Sequence, residues 1–100
     1  MIRISISKKD NKISFIKIAG HANYASEGYD IVCASVSSIV TTSVNGLLSI
    51  DASCLTFKDV DDLEITILKH NEVIDALINN MLSLLQQLSE QYKKYIKIKK

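Results

Sequence analysis

Proline and tryptophan are absent from this sequence, and its 100 residues hold only three glycines, two cysteines and two histidines. With no Pro-rich or Ser/Gly-rich stretch, no linker divides the chain, and it carries neither an internal repeat nor a low-complexity segment. The two cysteines, Cys33 and Cys54, have twenty residues between them; they make no disulfide framework and neither belongs to a CxxC pair, so zinc would need both cysteines and both histidines to converge from scattered positions, and a reducing cytoplasm fits. No metal and no cofactor is expected. Excess charge of either sign is lacking too: twelve Lys and Arg stand against eleven Asp and Glu. A net charge of +1 draws no protein onto nucleic acid or an anionic membrane, so any basic patch must be local. The N-terminal MIRISISKKDNKI alternates and has no long apolar core before a small-residue cleavage site, which sets the expectation that the protein is not exported.

Charge is missing altogether from Ile31 to Ile50. That run still holds five Ser, two Thr, Asn45 and Gly46, and each polar group in hydrocarbon needs an internal partner. A buried helix is therefore expected, not a membrane span. Apolar residues form 47% of the chain and charged ones 23%, which suits one packed domain over residues 1–100.

Periodicity supplies the elements. Residues 2–7 (IRISIS) alternate and 13–18 (ISFIKI) are β-branched or aromatic, with KKDNK as turn chemistry between them. The run 31–49 is too long for a strand and reads as a helix, ending near Asn45 and Gly46 or shortly after; its lack of charge implies burial on several sides. A second hairpin spans about residues 54–69 around DVDD. From Asn71, an N-cap, Val73, Leu77, Met81, Leu84, Leu85, Leu88 and Tyr92 fall on one helical face. Ile74, Ile78 and Leu82 widen that arc, so a second surface must cover it, either the first helix or a second copy of the chain. KYIKIKK closes the chain as an edge strand whose lysines blunt aggregation. The fold class is α+β, in ββαββαβ order, a mixed or antiparallel sheet with two helices in one compact domain.

The chemistry concentrates in AGHANYASEGYDIVCASVSSIV, residues 19–40. Strand two ends near Gly20 and His21, a polar loop of residues 22–29 follows with Gly28 as a hinge, and Asp30 stands where an N-cap belongs. Cys33 then falls in the first helical turn, where unpaired N–H groups and the helix dipole favour the thiolate. An imidazole beside it can hold that thiolate and pass a proton to a leaving amine. Cysteine is also among the most buried residue types and a single histidine is often structural, so spacing alone leaves packing open. Asp30 reads as a cap first, or as a carboxylate that orients His21. Ser37, one turn past Cys33, either lines the site or bonds its own backbone. Cys54 reads as packing and His70 as surface.

The wording GHA, then GYDIVCA, closely resembles the ribosomal-processing cysteine protease family, Prp. Gly20, His21 and Ala22 match its first motif, and Gly28, Asp30, Val32, Cys33 and Ala34 match its second. The resemblance implies a dimeric cysteine endopeptidase with Cys33 as nucleophile, His21 as acid and base, and a mobile loop between them. Its implied substrate is the N-terminal extension of large-subunit ribosomal protein twenty-seven, cut between an aromatic and a small residue. Nucleic acid would then be met only through the ribosome. The rival reading, a noncatalytic ribosome- or RNA-associated binding module, rests on Lys93, Lys94, Lys97, Lys99 and Lys100 and suffers from the missing aromatic platform. Thiol redox sensing through Cys33 lacks a nearby resolving cysteine.

Overall fold

The computed structural model describes residues 1–20 and 27–100, side chains of residues 27–30 excepted. Seven elements follow in chain order: β1 Ile2–Lys9, β2 Lys12–Ala19, α1 Glu27–Ile50, β3 Leu55–Asp59, β4 Leu63–Ile67, α2 Glu72–Gln91 and β5 Ile96–Lys99. The strands form one mixed sheet in the order β3-β4-β2-β1-β5, antiparallel except where β5 runs parallel to β1 at the edge.

Asp10 and Asn11 make the β1–β2 turn with φ of 53° and 65°. Two residues in the left-handed region define the tight hairpin turn whose twist matches its strands, and Asp and Asn tolerate that region better than most residues. A bulge between Ser7 and Lys8 then shifts the register. Beyond it Ile4 pairs with Ile18 and Ile6 with Ile16, so one sheet face is a continuous apolar surface. Ile2, Ile4, Ile16, Ile18, Ile65 and Ile96 all point into the same core, where both helices pack.

Asn71 caps α2 as its residue type predicts, its Oδ1 accepting from the Ile74 N–H at 2.9 Å. The buried stripe of α2 is Ile74, Ile78, Met81 and Leu85. This corrects the expected face: Val73 is 55% exposed and Leu84 38%, because α2 is turned so that the Ile74 row meets the sheet. The wide apolar arc is flanked by α1, which lies alongside α2.

Helix α1 runs through Gly46 and ends shortly after it, at Ile50, as expected, but departs from expectation in two ways. It starts at Glu27, so Asp30 lies inside it, in the first turn, and is not its cap. Its burial is confined to one stripe, Val32, Val36, Val40, Val44 and Leu47, since a helix laid on one face of a two-layer fold has one covered side. The outer side keeps Ser38, Thr41, Thr42 and Asn45 exposed. By length and composition Ile31–Ile50 could cross a membrane, but its valine stripe is occupied by the core.

A Cβ added at Gly46 would meet nothing within 4 Å. Gly46→Ala is therefore expected to stabilise the fold by about 0.5–1 kcal/mol, because glycine in a helix loses more freedom on folding. Denaturant titration checks this, with a midpoint shifted upward at unchanged slope.

The end of α1 is tied to the β4–α2 connection by charge. Asp51 Oδ1 accepts from Ser53 N–H at 2.9 Å and from Ser53 Oγ at 2.6 Å, and Lys69 Nζ reaches Ser53 Oγ at 2.6 Å and Asp51 Oδ2 at 3.4 Å. Those bonds, Ser53's foremost, hold the Asp51 carboxyl below its ordinary 3.8. Asp75 is lowered in the same way, chiefly by the hydrogen bond with His70 (Nδ1···Oδ1 2.7 Å), with Lys12 3.5 Å away. A carboxyl with a lowered folded pKa stabilises the fold above its unfolded value and loses that contribution as pH falls through the folded value. The thermal midpoint should thus fall below about pH 4, and less steeply in an Asp51→Asn/Asp75→Asn variant. Identical acid profiles for the two proteins would contradict this.

Candidate active site

Strand β2 delivers the first motif. It ends at Ala19, and Gly20 follows with φ of 82°, a left-handed conformation that a side chain disfavours. Glycine is needed here because the chain must leave the sheet at once. His21 lies outside the described residues, as does most of the loop of residues 22–29 that the sequence marked as a lid, so its pairing with Cys33 belongs to the proposal below.

Helix α1 delivers the second motif. Cys33 is half-buried and packs against the core cluster, between buried Val32 and exposed Ala34. A thiol on this flank keeps one side toward the core and one toward solvent. Asp30, Cys33 and Ser37 stand at i, i+3 and i+7 and share a helical face. Ser37 is half-buried, on the same flank as Cys33. Gly28 lies in the first turn of α1 and is not in the preceding loop.

The early start of α1 changes the electrostatic argument. Cys33 is the seventh helical residue, not one of the first turn. The helical N–H groups without a partner inside the helix are those of residues 27–29, and the dipole effect fades within that turn. The Cα–Cβ bond tilts toward the helix N-terminus, which returns the sulfur part of the way. The dipole alone is then a weak activator of the Cys33 thiol.

Cys54 is a different thiol. It is fully buried, its Sγ lies 3.6 Å from the Leu47 carbonyl oxygen, and burial raises its pKa. A thiol held neutral and away from solvent is inert, as expected of packing. His70 sits between β4 and α2, where it bonds Asp75; the sequence placed it at the surface without finding that partner five residues on. A His and an acid flanking an N-cap was the available signal. Among the described residues, no three His, Cys, Asp or Glu side chains gather as a metal site.

A family model described as "Cysteine protease Prp" matches residues 1–97. A protein named Ribosomal processing cysteine protease Prp, from Staphylococcus aureus, is 27% identical over 98% of this chain and 97% of its own. The crystal structure of an essential ribosomal processing protease Prp from S. aureus with a substrate peptide superposes with a TM-score of 0.91, at 25% identity, covering 98% of this chain and 97% of that one. A second structure of the S. aureus protease, with a covalently linked product peptide, gives a TM-score of 0.86 at 27% identity, covering 99% and 98%.

Proposed function

This chain belongs to the Prp family of cysteine proteases, and from that premise we propose that it removes the N-terminal extension of large-subunit ribosomal protein twenty-seven, with Cys33 as nucleophile and His21 as general acid and base. The observation that carries the reading is Cys33 itself, a half-buried thiol on the flank of α1 inside a complete family motif. The Cys33 thiolate attacks the scissile carbonyl, and the oxyanion collapses to a thioester as protonated His21 gives its proton to the leaving amine. Water deprotonated by His21 then hydrolyses the thioester and restores the thiol. The N–H groups of residues 27–29, unpaired within the helix, are backbone donors for the oxyanion. A covalently linked peptide, such as the S. aureus relative carries, is what nucleophilic catalysis forms.

Supporting roles follow from placement. Gly20 turns the chain out of β2 immediately before His21 in the sequence, and Gly28 leaves the first turn of α1 without a side chain beside the substrate. Asp30, relieved of the capping role, shares its helical face with Cys33 and Ser37; Asp30 orients the imidazole and Ser37 lines the cleft. The working form is a homodimer, in which a second copy covers Ile39, Leu77 and Leu84 along the open groove between α1 and α2. The compartment is the cytoplasm, where the thiol stays reduced.

The test is to incubate the protein with a peptide copying that extension and to analyse the products by mass spectrometry. A single cut between an aromatic and a small residue is expected, with light scattering giving a dimer mass. An intact peptide, or cuts scattered along it, would overturn the substrate assignment.

A further inference from the structure

We propose that the uncovered face of the sheet, at its β1–β5 end, binds the phosphate backbone of RNA. This goes beyond the protease reading, in which nucleic acid is met only through the ribosome. The parallel register sets Arg3 against Lys97 and Ser5 against Lys99, and all four are exposed. Each alternates with a core isoleucine, so their side chains share the face that neither helix covers. Adjacent strands lie about 4.8 Å apart and alternate residues of a strand about 7 Å apart. Arg3, Lys97 and Lys99 therefore crowd within about one Debye length, roughly 8 Å at physiological salt.

At the β3–β4 end of this face charges of both signs alternate, Asp62 pairing with Lys17 at 3.5 Å and Glu64 standing between Lys17 and Lys58, whereas β1 and β5 hold no acid. Lys93 and Lys94, exposed on the turn before β5, add positive charge beside Glu90. A polyanion relieves that repulsion and releases counterions. Ser5 and Ser7 add hydroxyl donors of the kind that bond phosphate. The strand isoleucines point the other way, so the patch offers none of the apolar centre that protein interfaces bury. Nor does it present a base-stacking platform: Phe15, half-buried, pairs with Ser7 at the far end of the rows. Binding is to phosphate and indifferent to sequence. The choice of RNA over DNA rests on the ribosomal-processing reading; the phosphate chemistry does not.

Fluorescence anisotropy of the full chain with a labelled single-stranded RNA, across a salt series, tests this. Arg3→Gln/Lys97→Gln/Lys99→Gln should weaken binding about tenfold or more at low salt and reduce the salt slope by about two, since each lost contact removes about 0.7. Lys8→Gln/Lys9→Gln/Lys12→Gln removes the same charge at the opposite hairpin end and should stay within about threefold of wild type, with thermal unfolding verifying the fold of both. Equal losses in the two variants, no RNA binding at low salt, or equal affinity for a glutamate-rich peptide would overturn the proposal. Single-stranded DNA binding as tightly as RNA would overturn the choice of RNA while leaving a phosphate site.

Discussion

Cys33→Ala is expected to abolish peptide cleavage, reducing kcat by about 10⁴-fold or more, while the protein should melt as wild type does. The size follows from covalent catalysis: without the sulfur no thioester forms, and only binding and oxyanion donors remain, worth about 10³–10⁴ over water in related chemistry. The unchanged stability follows from the half-buried position of Cys33, where trading a thiol for a methyl opens little cavity. Mass spectrometry of products over hours measures the first quantity and thermal unfolding the second. Cleavage surviving in Cys33→Ala would end the protease assignment for this residue. A variant that failed to fold would contradict the packing described for α1.

Ile74→Ala destabilises the domain by about 2–5 kcal/mol, and Val73→Ala, its neighbour, by less than about 0.5 kcal/mol. Ile74 is fully buried in the face of α2 that packs into the core, and truncating it loses transfer free energy and leaves a void. Val73 is 55% exposed, and alanine is the better helix former there. Since a domain of this size is stable by only about 5–15 kcal/mol, the first change removes a large part of the whole. Urea titration of both variants separates them. Similar losses would mean that α2 is rotated from the orientation described.

That pair also shows how far periodicity reaches. Apolar spacing identified α2 and its Asn71 cap, but Val73 and Ile74 both fit an apolar arc that wide; which one faces the sheet depends on how α2 sits against α1, a tertiary fact. The hairpins were legible because Asp10-Asn11 is a turn signal and alternating isoleucines mark a half-buried sheet. In α1 the absence of charge was misleading. Ser38, Thr41, Thr42 and Ser49 face outward, and others satisfy themselves locally, as when Ser35 and Ser43 donate to the carbonyls of Ile31 and Ile39 at 2.9 and 2.7 Å. Burial on several sides was never needed.

The site was legible in part. Cys33, Gly20 and the flank shared with Ser37 could be found from motif and helical spacing. The start of α1 could not, because Glu27, Gly28 and Asp30 are each acceptable near a helix N-terminus and cap preference alone chose Asp30. That difference of four residues, Ile31 against Glu27, moves the thiol out of the first turn, where the helix dipole acts most. The basic rows of the outer sheet face were also hidden, since Arg3 and Lys97 lie at opposite ends of the sequence and only the parallel β1–β5 pairing brings them together.

The pairing of a Cys33 thiolate with a His21 imidazolium is tested most directly by the pH dependence of Cys33 alkylation, read by mass spectrometry of the modified peptide, in wild type and in His21→Ala. Wild type should react with an apparent pKa well below the ordinary thiol value of about 8.5, and His21→Ala should return it toward that value. Superimposable profiles for the two proteins would contradict it.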